Sequence, residues 1–307
     1  MREIRWILAV GAAVLLLAGC GDDGSAETTA AQTDQQEQTV RAEPPKKNLK
    51  SVEITLDGYP NAENVGVWMA QERGYFEDAG LEVHIHTPAG PLLPVKYVND
   101  RNVDLSITHQ PQLVIAQEKG VPIVAVRSLI SQPTAAMIWL RKSKIGGLSD
   151  LKGKTIAIPG LPFQEELLAD VLAEAGLTLA DVEVEKVEYS LVPALASGRA
   201  DAIFGGSWNV EGIELDARGL EPVITRVEDL DLPAYKELIL IARRDRLTKD
   251  PESIRAFTKA LTRGNAAAIE DPEAATEVTL NQSGYPSRKA IEAQLEATLP
   301  LLAKTGA

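Results

Sequence analysis

The chain has 307 residues, with 31 Lys and Arg against 44 Asp and Glu, so its formal net charge is −13. This charge argues against nucleic acid as a partner, because phosphate binding requires a basic surface. The hydrophobic content of 45% is too high for a disordered chain, and the length allows one large or two ordinary domains. The single cysteine excludes an internal disulfide framework and a zinc site built on several thiolates.

The N-terminus has the pattern of an export signal. Arg2 and Arg5 precede an apolar stretch over residues 7–18, which is short for a membrane-spanning helix. The stretch runs into Leu-Ala-Gly-Cys20, which resembles a bacterial lipobox, where the cysteine is lipidated and becomes the mature N-terminus. We therefore predict a lipoprotein signal peptide over 1–20 and an exported protein that acyl chains hold at the outer face of the cell membrane. A buried free cysteine is the alternative.

The following segment, residues 21–49, consists almost entirely of small and polar residues. It offers little that could be buried, so we predict a disordered tether between the anchor and the folded part.

From residue 50 onward, strand and helix patterns alternate, which predicts parallel α/β sheets. Amphipathic helices separate the strands, and the chain is helical after residue 241. The predicted strands are 52–56, 81–85, 103–107, 123–126, 135–140, 155–158, 182–187, 201–204, 222–225 and 238–241.

Sheets of this kind bind ligands at the carboxyl ends of their strands. That rule selects four loops, at 57–61, 108–111, 159–162 and 205–211. The four loops contain neither Lys nor Arg, which disfavours an anionic ligand such as a sulfonate or a phosphate.

Several segments resemble the substrate-binding lipoproteins of bacterial ABC importers for thiamine pyrimidine precursors, which are related to hydroxymethylpyrimidine synthase. Two of them, ERGYF and DLKGK, are shared by many type II binding proteins, whereas the Tyr-Pro-Asn and Trp-Asn-x-Glu turns are more specific to the pyrimidine branch. The matching segments are 56–61 (LDGYPN), 72–76 (ERGYF), 80–83 (GLEV), 110–111 (QP), 150–154 (DLKGK), 159–162 (PGLP), 205–211 (GGSWNVE) and 233–238 (PAYKEL).

The resemblance implies a type II periplasmic-binding-protein fold, with two α/β lobes and a hinge of two crossing strands that lets the lobes close over a ligand. Lobe 1 would comprise 50–158 plus 235–307, and lobe 2 would comprise 159–234. The implied function is capture of a formylaminopyrimidine or hydroxymethylpyrimidine and its delivery to the permease and ATPase subunits of an importer. The resemblance implies a monomer without catalysis, cofactor or metal, and a final helix beyond Ala307, where the sequence ends.

An aminopyrimidine suits the residue types of the four loops. Its flat ring can stack on aromatic side chains, and its edge carries both hydrogen-bond donors and acceptors. Carboxylates and amides can pair with that edge, and glycine lets the backbone approach closely. The candidate ligand-binding residues are Tyr59, Asn61, Gln110, Gly160, Trp208, Asn209 and Glu211.

Each candidate also has a structural alternative. Tyr59 and Trp208 could be core aromatics, Asn61 could cap the helix that follows it, and Glu211 could be a solvated helix charge. His84 and His86 alternate onto one strand face, but no third metal ligand is evident near them.

Other functions remain open on the same scaffold. Relatives usually carry Trp where this chain has Gly58, and this difference would enlarge the pocket and admit a bulkier heterocycle such as a flavin. An alkanesulfonate is a further alternative ligand. An exported enzyme related to the pyrimidine synthases is disfavoured, because those enzymes need a cysteine-rich segment and this chain has only Cys20.

Overall fold

The computed structural model describes residues 48–283 and 287–303, all of which belong to one structural unit spanning Lys46–Ala307. The predicted signal peptide, the lipidated Cys20 and the tether up to residue 47 lie outside the described residues. Within those residues, no helix has the length and the apolar character needed to cross a membrane.

Strands and helices alternate along the first part of the chain, and the C-terminal part is helical. The strands are β1 (Lys50–Thr55), β2 (Leu81–His86), β3 (Leu105–Thr108), β4 (Ile123–Ile130), β5 (Ala135–Leu140), β6 (Thr155–Ile158), β7 (Glu183–Lys186), β8 (Ala202–Ser207), β9 (Pro222–Arg226) and β10 (Leu238–Arg243). The helices are α1 (Val65–Glu72), α2 (Tyr75–Asp78), α3 (Leu93–Asn99), α4 (Gln110–Glu118), α5 (Pro162–Ala173), α6 (Leu191–Ser197), α7 (Ile213–Ala217), α8 (Arg244–Lys249), α9 (Pro251–Glu270), α10 (Pro272–Ser283) and α11 (Arg288–Thr298).

The strands form two five-stranded sheets, and each sheet with its helices is called a lobe here. The first sheet has the order β2-β1-β3-β10-β4, and the second has the order β7-β6-β8-β5-β9. In the second sheet the alternation along β5 places Met137 and Trp139 in one core, and Ala136 and Ile138 in the core on the opposite face. Both faces of this sheet are therefore covered by apolar packing, as a sheet between helical layers requires.

The sheets are mixed and not purely parallel, which corrects the prediction from the sequence. β10 runs antiparallel to β3 and β4, and β5 runs antiparallel to β8 and β9. These are the two strands through which the chain enters the other sheet, after residues 131–134 for β5 and residues 227–237 for β10.

The predicted lobe boundary at residue 158 does not match the sheets. β5 and β6 pair with β8, β9 and β7 in the second sheet, although we placed residues 135–158 in lobe 1. All six residues of β5 are buried and apolar, so its sequence does not indicate which of the two sheets it joins. The return of β10 to the first sheet agrees with the sequence analysis.

The first lobe depends on close packing between α1 and α9. A Cβ atom placed on Gly264 would lie 2.1 Å from the carbonyl oxygen of Gly66, and one on Gly66 would lie 1.7 Å from Oδ1 of Asn265. Neither helix can carry a side chain at this crossing without moving apart.

We expect Gly264→Ala to destabilise the protein by about 1–3 kcal/mol, because the methyl group would overlap backbone atoms of α1. The direction of the change in unfolding free energy is informative, because a glycine-to-alanine change inside an exposed helix stabilises a protein by roughly 0.5–1 kcal/mol. Urea unfolding measures the difference, and Ala266→Ser on the exposed face of α9 is the control. A Gly264→Ala protein as stable as the wild type would contradict this packing.

Candidate functional site

A cleft lies where the carboxyl ends of β1 and β3 face those of β6, β7 and β8. Its cavity has a volume of about 70 Å³, several times the roughly 10–15 Å³ that one water requires. The position follows the rule for open α/β sheets, in which ligands bind beyond the carboxyl ends of strands. The lining residues are Asp57, Gly58, Tyr59, Asn61, Glu63, Pro91, His109, Pro159, Leu161, Gln164, Glu188, Tyr189, Leu191, Ser207, Val210 and Glu211.

Glu211 is a buried carboxylate in the wall of this cavity. One of its oxygens accepts the hydroxyl hydrogen of Tyr59 from the first lobe, at 2.6 Å. The other accepts the backbone N–H of Ser207, at 2.7 Å. Burial raises the pKa of Glu211, while these two hydrogen bonds act in the opposite direction. The carboxylate is thus fixed in position and joins the two lobes across the cleft.

Glu237 holds together the two connections between the sheets. Its carboxylate accepts the backbone N–H of Thr134 at 2.7 Å and that of Ala135 at 3.2 Å, both at the start of β5. It also accepts from Nδ1 of His109, at 2.9 Å, just after β3. Burial raises the pKa of Glu237, but the bond to His109 and the two amides outweigh it and lower the pKa. The hinge therefore contains an ionised carboxylate.

His109, the hydrogen-bond partner of Glu237, lines the cavity. Burial lowers the pKa of His109, but the hydrogen bond and the charge of Glu237 outweigh it, so the pKa lies above its ordinary value. The imidazole ring also packs against Phe163, with 5.6 Å between the ring centroids. His109 is therefore a cleft residue whose orientation is set by the hinge.

Glu63 lines the cavity and belongs to a buried polar network. Its Oε1 accepts from Oγ1 of Thr134 and from Nδ2 of Asn209, each at 3.1 Å. Burial, followed by the nearby charges of Asp57 and Glu237, raises the pKa of Glu63 to about 8. Glu63 is therefore mostly protonated at neutral pH. Its position in the sequence does not distinguish it from a surface helix residue.

Three of the predicted ligand-binding residues line the cavity, namely Tyr59, Asn61 and Glu211. The Asn61 side chain is already engaged, because Oδ1 accepts the N–H of Glu63 at 2.8 Å and Nδ2 donates to the carbonyl of Tyr59 at 3.1 Å. Asn61 thus has the helix-capping role that the sequence analysis left as the alternative.

Two other predicted residues, Gln110 and Gly160, lie outside the cavity. Gln110 pairs with the backbone of Lys236, whose N–H donates to Oε1 at 2.7 Å, so it fixes the second hinge connection. Gly160 has a φ of +92° and turns the chain between the lining residues Pro159 and Leu161.

Trp208 and Asn209, which were also predicted to bind the ligand, are not among the described residues that line the cavity. The guanidinium carbon of Arg226 lies 3.6 Å from the centroid of the Trp208 ring, so that face is covered. Asn209 is fully buried and donates to Glu63 and to Oγ1 of Thr298, the latter at 2.8 Å. A π-helical turn spans Trp208–Gly212, and of its residues Val210 and Glu211 line the cavity.

Tyr189, which was not predicted from the sequence, lines the cavity and contacts the Tyr59 ring edge to face. Its ring edge occupies the space beside Gly58, where a Cβ atom would meet Cε1 of Tyr189 at 3.3 Å. Gly58 therefore does not leave the enlarged pocket that we expected. Tyr189 follows β7, so applying the strand-end rule to that strand as well would have identified it.

Carboxyl groups outnumber basic groups in the cavity lining, where His109 is the basic residue among those described. Four carboxyl groups line it, those of Asp57, Glu63, Glu188 and Glu211, and neither Lys nor Arg is among the described lining residues. Desolvation raises the pKa of Asp57 as well, with a smaller opposing contribution from His109. Such a surface favours a neutral or cationic ligand that donates hydrogen bonds, and it repels anions.

The sequence of the cleft and of the surrounding lobes matches a known family. Residues 61–275 match the family described as NMT1/THI5 like, and these residues include most of the two lobes. The chain belongs to the NMT1/THI5-like family. The resemblance that the sequence analysis described is thereby confirmed.

Curated relatives within this family have names of two kinds. A Haemophilus influenzae protein named as a thiamine biosynthesis protein is 37% identical over 74% of this chain and 71% of its own length. The formylaminopyrimidine-binding protein of Halalkalibacterium halodurans is 29% identical over 96% of this chain and 84% of its own. A 4-amino-5-hydroxymethyl-2-methylpyrimidine phosphate synthase of Schizosaccharomyces pombe is 26% identical over 67% of this chain and 62% of its own.

Solved structures confirm the fold class. The periplasmic aliphatic sulphonate binding protein of Escherichia coli superposes with a TM-score of 0.69 over 83% of this chain and 85% of its own, at 18% identity. The alkanesulfonate-binding protein of Xanthomonas axonopodis gives a TM-score of 0.68 over 82% and 84%, at 19% identity. The NMT1/THI5-like chain thus has the expected periplasmic-binding-protein fold with two α/β lobes.

The raised pKa of Glu63 predicts a specific pH dependence of stability. An unfolded glutamate loses its proton near pH 4.3, whereas folded Glu63 keeps it to about 8, so the free energy of unfolding falls as the pH rises between these values. Glu63→Gln retains an acceptor for Thr134 and Asn209 but has no proton to lose. We therefore expect its melting temperature to match that of the wild type near pH 5 and to exceed it near pH 8.

Thermal unfolding from pH 5 to pH 9 measures the difference, with about 2–4 °C expected for each kcal/mol. Glu82→Gln on the exposed side of β2 is the control. Parallel curves for the wild type and Glu63→Gln would show that the Glu63 carboxyl does not change its protonation state on folding.

Proposed function

We propose that this protein is the extracytoplasmic solute-binding component of an ABC importer that captures an aminopyrimidine precursor of thiamine between its two lobes. The observation that carries the proposal is the buried Glu211 carboxylate, held in the cavity wall by Tyr59 and Ser207. A carboxylate in this position can accept hydrogen bonds from an exocyclic amine. The formylaminopyrimidine-binding relative, with which the chain aligns over 96% of its length, supports the same ligand class.

The ring of such a ligand would pack against the Tyr59–Tyr189 pair, the two tyrosines of the described cavity lining. His109 and Gln164 supply further polar groups at the edge of the cavity. The proposed binding residues are therefore Tyr59, Tyr189 and Glu211, with Asn61 shaping the loop that presents Tyr59.

The alternative ligands fit this cavity less well. An alkanesulfonate would meet several carboxyl groups and neither Lys nor Arg among the described lining residues, although proteins of this fold bind sulfonates. The lack of a side chain at Gly58 favoured a flavin, but the Tyr189 ring occupies the space beside Gly58.

The family also contains synthases, so the proposed absence of catalysis requires its own test. The purified protein is denatured, and the ligand that it releases is identified by mass spectrometry. Recovery of an unchanged aminopyrimidine after long incubation supports a binding protein, whereas a chemically converted ligand would support an enzyme.

We expect Glu211→Gln to weaken binding of 4-amino-5-hydroxymethyl-2-methylpyrimidine roughly tenfold. Hydrogen bonds to a charged group contribute about 1.5–3 kcal/mol, and neutral ones about half as much. Every 1.4 kcal/mol corresponds to about a tenfold change in affinity. Calorimetric titration measures the change. Glu214→Gln is the control, because Glu214 pairs with Arg218 and lies outside the described cavity lining. Equal affinities for Glu211→Gln and the wild type would exclude the carboxylate from recognition.

We further propose that acyl chains on Cys20 anchor the protein at the outer face of the cell membrane, where a monomer would deliver its ligand to permease and ATPase subunits. The support is the lipobox in the sequence. Cys20→Ser is expected to move the protein from the membrane fraction to the soluble fraction, because one lost anchor removes most of the membrane affinity. Retention of the variant in membranes, measured by fractionation and immunoblotting, would contradict the anchor.

A further inference from the structure

The loop after β7 brings Tyr189 from the second lobe onto the first. Glu188, directly before it, has a φ of +50°, a left-handed conformation that is uncommon for residues other than glycine. Residues in such conformations persist only where the surrounding structure holds them, and they are common at ligand clamps. Next to Glu188, the Tyr189 hydroxyl reaches the backbone carbonyl of Asp57 and donates to it at 3.2 Å.

Gly58 provides the surface on which the Tyr189 ring lies. A Cβ atom at position 58 would be 3.3 Å from Cε1 of Tyr189, closer than ordinary van der Waals contact. Gly58 does not have a positive φ in the structure, so glycine is not required here by the backbone conformation. The close approach of the Tyr189 ring explains the glycine instead.

Two tyrosines therefore cross the cleft in opposite directions. Tyr59 of the first lobe donates to Glu211 of the second, and Tyr189 of the second lobe donates to the Asp57 carbonyl of the first. Their rings meet edge to face, with centroids 6.1 Å apart and an interplanar angle of 84°. Both hydrogen bonds require the lobes to be together, so opening the cleft breaks them at the same time.

We propose that Tyr59 and Tyr189 form a reciprocal latch, and that Tyr189 resting on Gly58 sets the rate at which the closed cleft releases its ligand. The latch itself follows from the geometry, whereas its effect on an aminopyrimidine rests on the proposed function. Burial raises the pKa of the Tyr189 hydroxyl, which keeps it protonated as a donor. A bound ligand can leave only after the latch opens, so loss of the latch is expected to raise the dissociation rate.

Stopped-flow kinetics with 4-amino-5-hydroxymethyl-2-methylpyrimidine test the effect on release. Tyr189→Phe removes only the hydroxyl, and we expect a roughly three- to tenfold faster dissociation. Tyr75→Phe is the control, because Tyr75 lies beneath Arg263 in the first lobe and outside the described cavity lining. An unchanged dissociation rate in Tyr189→Phe would overturn the latch.

A double-mutant cycle tests the role of Gly58. Gly58→Ala is expected to speed dissociation in the wild-type background, because the added methyl group displaces the Tyr189 ring. In a Tyr189→Ala background the same change should have little effect, since the ring that it displaces is absent. Equal effects of Gly58→Ala in both backgrounds would show that Gly58 acts independently of Tyr189.

An experiment without ligand separates the latch from the proposed function. Hydrogen exchange followed by mass spectrometry compares peptides covering 56–61 and 187–191 in the ligand-free wild type and in Tyr189→Phe. Faster exchange of both segments in the variant, with unchanged exchange in β10, supports the latch. This result would support the latch even if the wild type bound no aminopyrimidine, because the absence of binding would refute only the proposed function. Identical exchange in the two proteins would overturn the latch.

Discussion

The geometry of the cleft depends on the buried carboxylate of Glu237. It accepts amide hydrogens from Thr134 and Ala135, where the first connection enters the second sheet, while Glu237 itself belongs to the connection that returns. Its bond to His109 adds the loop after β3. A single charged group thus fixes both connections and one wall of the cavity. Removing one partner of such a buried pair is costly because the remaining charge is left uncompensated, so the hinge and the cleft are coupled in stability as well as in position.

The buried carboxyl group of the hinge and those of the cavity differ in their charged partners. Glu237 has a cationic partner and amide donors, and the pKa of its carboxyl is lowered. Among the described residues, Glu63, Asp57 and Glu211 form no salt bridge, and burial raises the pKa of each. Closing the cleft brings these groups out of water, which favours protons or ligand donors that balance them.

Much of the fold could be predicted from the sequence, because it depends on local patterns. The alternation of strands and helices gave most elements within a few residues, and the strand-end rule located Tyr59 and Glu211 at the cleft. The assignment of β5 to a sheet could not be predicted, since its six residues are apolar throughout and would suit either core. A strand buried on both faces carries no register information in its alternation.

The errors within the site have a different physical origin. Trp208 and Glu211 are three residues apart and would lie near one face of an α-helix, but the π-helical turn at Trp208–Gly212 changes the angular spacing of the side chains. The sequence motif therefore selected the correct turn and Glu211, but it did not separate Glu211 from Trp208 and Asn209, which lie outside the described cavity lining. Tyr189 was missed for the opposite reason, because its place in the cavity depends on Gly58 in the other lobe, which is more than a hundred positions away in the chain.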